Sequence, residues 1–177
     1  RVVGGRVQYD IGHSLKDAPR SDEGTVGRTG ATCISCATAV PLEYVREQSR
    51  QNGLGHDLMA VVAGGDRNRT YVEPDDAQRA ASSLARPADL PTGSLPDKAL
   101  SFRVQAYGMT EWVDLFTNRQ LTALTLLSDL VTEARERVRT DALAAGLALG
   151  DELEAGGVGA RAYADAVATY LGQGVSR

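Results

Sequence analysis

The apolar positions of this chain alternate in short runs through its N-terminal part and then settle into a long helical stripe. Val3, Val7, Tyr9 and Ile11 alternate loosely, with Gly4-Gly5 as a hairpin-type turn between Val2-Val3 and Arg6-Val7-Gln8-Tyr9, which predicts two short strands. Residues 12–30 are polar and turn-rich and predict loop with short extended pieces. The run from Pro41 to Arg50 places Leu42, Val45 and the stem of Tyr44 on one side, as a short helix would, with Pro41 in its first turn. Leu58-Met59-Ala60-Val61-Val62-Ala63 is a short apolar run, Gly64-Gly65-Asp66-Arg67-Asn68-Arg69 interrupts it, and Thr70-Tyr71-Val72 resumes it. That is the pattern of a β-hairpin with a charged tip. Residues 75–85 are alanine-rich and predict a helix entered at Pro74, whereas Pro87, Pro91, Gly93 and Pro96 mark residues 86–97 as an irregular linker.

Beyond the linker, Phe102-Arg103-Val104-Gln105 alternates briefly as a strand, and Tyr107-Gly108-Met109-Thr110 reads as a turn. A helix then begins at Thr117, with Gln120 three places on to complete a capping box. Leu121, Leu124, Leu127 or Ser128, Val131, Ala134 and Val138 form its apolar stripe, and Glu133 stands one turn before Arg137 as an ion-pair candidate. Gly156-Gly157-Val158-Gly159 breaks the pattern before an alanine-rich helix over 160–171, so the C-terminal part predicts a helical hairpin and the whole an α+β chain.

Composition adds bounds. The chain has 177 residues, 42% hydrophobic and 24% charged, which is the range of folded globular chains of one domain or two small ones. Its formal net charge of -4 provides no global basic footprint, so any DNA contact would come from a local patch or from parts of a longer protein. No stretch has the form of a signal peptide, and no apolar run approaches the roughly 20 residues that span a bilayer, from which a cytoplasmic address and no membrane partner are expected. Arg1 in place of a Met, and a last helix with no capped exit, lead to the expectation that both ends are cut.

The candidate chemistry is concentrated in a few places. Cys33-Ile34-Ser35-Cys36 puts the only two cysteines on one tight turn, at a separation that lets both thiolates share a tetrahedral zinc. A structural zinc takes four ligands, so Cys33 and Cys36 supply half a site, and zinc, redox and inert readings of the pair stay open. His13 and His56, one on either side, would complete a two-Cys two-His set, although neither has the close spacing of a zinc-finger His pair. The glycines at 24–30 and 63–66 lack the order of a nucleotide-binding loop and read as turns. Arg67 and Arg69, with Tyr71 beside them, are candidates for phosphate contact and stacking. Met109, Trp112, Leu115 and Phe116 form an apolar cluster that reads as a hydrophobic plug.

Five stretches carry a family resemblance. Residues 24–36, ending in Thr32-Cys33-Ile34-Ser35-Cys36 and followed by Val40-Pro41-Leu42-Glu43-Tyr44-Val45-Arg46, resemble the second half of the zinc ribbon in zinc-ribbon-containing adenine-specific DNA methylases. Arg103-Val104-Gln105-Ala106-Tyr107-Gly108-Met109-Thr110, residues 114–124 and residues 162–171 are similar to the same family in the same order. In that family this is an interior segment: a motif that binds S-adenosylmethionine lies before it and an Asp-Pro-Pro-Tyr catalytic motif after it. Neither is found in this sequence, which has no Pro-Pro dipeptide. The family also carries a first cysteine knuckle upstream, and a Gly where this chain has Ala37.

The resemblance therefore implies a partial zinc-ribbon-like knuckle over 1–40, a helix, hairpin and alanine-rich helix over 41–85, the linker over 86–97 and a helical region over 98–177. Together these would form an inserted region of a Rossmann-like DNA adenine methyltransferase of restriction or phage-defence type, not catalytic alone. Zinc would be held at Cys33 and Cys36 as a half site, S-adenosylmethionine would be bound by the parent protein and not by this segment, and DNA would be met through the parent; Arg67, Arg69 and Tyr71 are its candidate contacts from the hairpin pattern alone. The partner would be the remainder of the methylase chain. A free-standing zinc-dependent binding module, or a remnant without activity, are the other readings.

Overall fold

The structure is a computed structural model and describes residues 2–12, 14, 16, 24–65, 68–97 and 103–176. Among these residues the chain is α+β, with three two-stranded antiparallel hairpins followed by a pair of long helices. It divides into two compact units, one made of Arg1–Leu84 with Pro91–Thr117 and the other of Ala85–Leu90 with Asn118–Arg177. Residues 86–97 are thus shared between the two.

In the first unit, β1 (Val2–Val3) and β2 (Arg6–Val7) pair with Val2 opposite Val7. Gly4 at φ 56° and Gly5 at φ 77° are both left-handed, which is what a two-residue turn matching the strand twist requires. The next hairpin, β3 (Gly30–Thr32) with β4 (Ala39–Pro41), runs directly into α1 (Leu42–Asn52). Along α1, Ser49 is buried and Leu42, Val45, Arg46 and Gln48 are half-buried, while Tyr44 is exposed. Grouping Tyr44 with Leu42 fails because two residues along a helix turn the side chain through about 200°.

The inner face of α1 is held by Val104–Tyr107, which is a 3₁₀ turn rather than the expected strand, with Phe102 outside the described residues. Ser49 donates its hydroxyl to the Tyr107 carbonyl, Arg50 Nη1 donates to the Ala106 carbonyl at 3.0 Å, and the Arg46 guanidinium lies 5.9 Å from the Tyr107 ring centre. The 3₁₀ turn presents consecutive carbonyls to those donors, a demand that outweighs so brief an alternation. Gly108 at φ 87° closes the turn.

The third hairpin pairs β5 (Val61–Gly64) with β6 (Arg69–Val72), as the sequence pattern predicts. Then Asp75 caps α2 (Asp76–Ser82) reciprocally: it accepts from the Gln78 N–H at 2.8 Å and its own N–H donates to Gln78 Oε1 at 2.9 Å. The proline-rich stretch is tied down, since Leu95 N–H donates to the Thr110 carbonyl at 2.7 Å and Trp112 N–H to the Gly93 carbonyl at 3.1 Å. Leu95 and Val113 are buried there. Of the apolar cluster, Met109 and Leu115 are half-buried, but Trp112 and Phe116 remain exposed, and Val113 supplies the burial instead.

The second unit is built on α3 (Asn118–Ala144) and α4 (Ala160–Val175), which pack along each other. Thr117 stands immediately before α3, at the capping position. Leu121 is buried and Leu124, Val131, Ala134 and Val138 are half-buried, whereas Leu127 is exposed. On α4, Ala160 and Ala164 are fully covered, and side chains this small let the helix axes approach closely. No ion pair forms between Glu133 and Arg137 among the described residues; Glu136 instead takes Arg135 at 2.9 Å and Arg139 at 2.8 Å. Arg135 also donates through Nε to Asp165 at 2.7 Å, while the other Asp165 oxygen accepts from Leu153 N–H at 2.9 Å. That carboxylate joins α3, α4 and their connection, and its two donors hold its pKa below the ordinary carboxylate range, with the Leu153 N–H the larger cause. No helix of the described residues is long and apolar enough to cross a membrane.

Candidate metal knuckle and hairpin tip

Cys33 and Cys36 occupy the six-residue tip between β3 and β4. Strand pairing runs up to Thr32 opposite Ala39, and the tip is closed by Cys33 N–H donating to the Thr38 carbonyl at 2.9 Å and by Ala37 N–H donating to the Cys33 carbonyl at 2.8 Å. The base is steadied by Thr32 N–H donating to the Thr25 carbonyl at 2.7 Å. Closing so tight a loop forces Ala37 to φ 57°, the left-handed region that disfavours a side chain.

Cys33 is half-buried and Cys36 is exposed, and both are free thiols. The Cys36 thiol donates to Thr38 Oγ1 at 3.2 Å. Its pKa is lowered, first by the Thr38 side chain, then by the Thr38 backbone and by the Cys33 side chain. An ionised sulfur is the form that ligates metal. The tip thus offers two free thiols on one turn, the donor type that a half zinc site would use. Among the described residues no group of three or more His, Cys, Asp or Glu side chains converges to hold a metal. His13 lies outside the described residues. His56 lines a cavity of about 870 Å³ in the first unit with Arg6, Tyr9, Asp57, Asp76 and Arg79, a wall that includes neither cysteine. Thr38 is the residue that sequence reasoning missed, although a hydroxyl two places after the second thiol is a readable signal.

Arg69 and Tyr71 lie on the exposed strand β6, and Arg67 lies outside the described residues. Arg69 pairs with Gly64 and Tyr71 with Val62, so strand alternation puts Arg69 and Tyr71 on one face. Gly65 N–H donates to the Asn68 carbonyl at 2.9 Å and closes the tip. The cysteine knuckle and the arginine tip are on separate hairpins, β3–β4 and β5–β6.

The molecule is thus an α+β chain that carries a two-thiol knuckle and an exposed cationic hairpin. No protein-family profile, curated protein or solved structure matches it.

Proposed function

We propose that this chain is an interior segment of an S-adenosylmethionine-dependent DNA adenine-N6 methyltransferase of the zinc-ribbon-containing kind, carrying the second half of the ribbon and no catalytic group of its own. The observation that carries the reading is the conformation at Ala37: a Cys-x-x-Cys tip whose next residue is left-handed, at the place where ribbon knuckles of the resembled family have glycine. Cys33 and Cys36 would hold one side of a zinc ion, with a second knuckle elsewhere in the parent completing the four ligands. When bound, zinc would cross-link the two knuckles and stabilise the fold of the ribbon. Arg69 and Tyr71, with Arg67 beside them in sequence, would meet DNA; the cofactor and the reacting base would be held by the parts of the parent before and after this segment.

Two measurements test this. Reading the coding DNA in frame on both sides should reveal a cofactor-binding motif and a cysteine knuckle upstream and an Asp-Pro-Pro-Tyr motif downstream; stop codons flanking the segment would overturn the assignment. Calorimetry of the isolated chain with S-adenosylmethionine should show no binding tighter than about 100 µM, a threshold of roughly 5 to 6 kcal/mol. Tighter binding would place the cofactor site within this segment and contradict the proposal. The exposure of Cys36 favours one second reading, a binding module in which two copies share a zinc between their knuckles. Metal stoichiometry separates the two.

A further inference from the structure

The two thiols of the β3–β4 tip are not equivalent. Cys36 is exposed, whereas Cys33 is half-buried, alone among residues 33–38. Cys33 is also held at both of its backbone groups: its N–H donates to the Thr38 carbonyl at 2.9 Å, and its carbonyl accepts from the Ala37 N–H at 2.8 Å. The second of these bonds wraps residues 33–37 into one turn, in which the first and fourth Cα atoms lie within about 7 Å of each other. A disulfide spans roughly 4.4–6.8 Å between Cα atoms. Joining the two sulfurs therefore asks for a change at the tip alone, with Thr32 and Ala39 still paired below it.

Thiol–disulfide exchange uses this kind of inequality. One accessible sulfur attacks an incoming disulfide, and a neighbouring sulfur then displaces the mixed disulfide that results. Cys36 has the access, and Cys33 is fixed beside it. The Cys36 thiol donates to Thr38 Oγ1 at 3.2 Å, and because a hydroxyl both accepts and donates, the same contact turned round serves an ionised sulfur.

We propose that Cys36 and Cys33 form an exchange pair for small-molecule disulfides, with Cys36 attacking, Cys33 resolving and the Thr38 hydroxyl positioning the attacking sulfur. In the first step the ionised Cys36 sulfur forms a bond to one sulfur of the incoming disulfide, whose S–S bond breaks and releases one thiolate. In the second, Cys33 gives its proton to solvent, its sulfur bonds to Cys36 Sγ, and the second thiolate leaves. Two protein thiols are oxidised to one disulfide, and the incoming disulfide is reduced to two thiols. The open tip, exposed at every residue but Cys33, suits a small disulfide that needs no matching cleft. The exchange goes beyond the zinc reading and does not depend on it, and the oxidised pair has no thiolate left to ligate a metal.

The test is intact-mass spectrometry of the full 177-residue chain, reduced, freed of metal by chelation and mixed with glutathione disulfide. The wild type should pass to the internal disulfide without accumulating a glutathionyl adduct. Cys33→Ser should accumulate one adduct at close to the wild-type rate, and Cys36→Ser should react about tenfold more slowly. In the Cys33→Ser background, Thr38→Ala should slow the adduct about threefold and Thr38→Ser should restore it. In urea, where the tip is unfolded, the two cysteine variants should react alike. Because metal is absent throughout, these outcomes stand apart from the zinc reading, which metal analysis tests. A wild type that stops at the adduct would overturn the pair, and an unslowed Thr38→Ala would overturn the role of Thr38. Equal rates for the two cysteine variants in the folded chain, or a difference that persists in urea, would overturn the roles assigned to Cys36 and Cys33.

Discussion

Two tight corners of this molecule meet the same geometric demand with different residues. At the connection of α3 and α4, Ala160 N–H donates to the Ala148 carbonyl at 2.8 Å and Arg161 N–H to the Leu149 carbonyl at 3.1 Å, so the chain crosses itself backbone to backbone. Glycine stands at each point of closest approach. Gly150 at φ 61° and Gly159 at φ 109° are left-handed, and a Cβ on either would collide with the carbonyl of Val158 or Ala148. At the cysteine knuckle the chain turns as sharply, yet the left-handed residue is Ala37. The helical corner has minimised its strain, as a purely structural turn does. The knuckle keeps an alanine at the left-handed position that its own hydrogen bonds impose, and so retains strain beside its two thiols.

The largest expected effect is at the helical corner. Gly159→Ala should cost at least about 2 kcal/mol, because it combines a disfavoured φ with a backbone collision. Gly146→Ala, at φ 93° but with open space around it, should cost about 1 kcal/mol. Urea unfolding reads the two units separately: the only tryptophan, Trp112, reports the first by fluorescence, and helical circular dichroism is dominated by α3 and α4 of the second. The Gly159 variant should move the dichroism transition and leave the fluorescence transition in place. If both move together, the division into independently stabilised units is wrong.

At the knuckle the sign reverses. Ala37→Gly should stabilise the first unit by about 0.5 to 1 kcal/mol, the relief of left-handed strain less the added entropy of glycine in the unfolded chain. Ala37→Val should destabilise it, since a β-branched side chain tolerates that φ less well. A loss of stability in the glycine variant would show that Ala37 is not strained and would remove the contrast between the two corners.

A smaller, pH-dependent effect belongs to Asp165. Its folded pKa is depressed, so its contribution is fully present above the unfolded carboxylate pKa and is lost as pH falls through the folded value. The dichroism-detected stability should therefore fall as pH drops below about 4, and Asp165→Asn should be less stable at pH 7 with a flatter acid limb. An unaltered acid limb in the variant would mean that the link from α4 to Arg135 and Leu153 contributes little.

How far the sequence could be read follows from how local each determinant is. Gly4-Gly5, the charged tip at 64–69 and the stripe from Leu121 to Val138 encode their elements within a few residues, and the structure has those elements where the patterns place them. The 3₁₀ turn at Val104–Tyr107 was illegible because its carbonyls are claimed by Ser49 and Arg50, more than fifty positions away. The salt bridge at Arg135 was missed for the same reason: its partner, Asp165, is on the other helix, whereas Glu133 and Arg137 were close in sequence. At the candidate site the two thiols were plain from their spacing, but the Thr38 hydroxyl and the left-handed Ala37 depend on how the tip closes. The proposed methylase reading stands outside both kinds of determinant, since it rests on resemblance over five stretches of sequence.

In the proposed function Cys33 and Cys36 form half of a zinc site. Its most direct test is metal analysis of the purified, reduced chain after zinc loading and gel filtration. Well under one zinc per monomer is expected, with any bound zinc lost in the Cys33→Ser/Cys36→Ser double variant. A ratio near one half in a dimer would favour two copies sharing a metal between their knuckles. One tightly held zinc per monomer would contradict the half site, because the chain would then be supplying four ligands by itself.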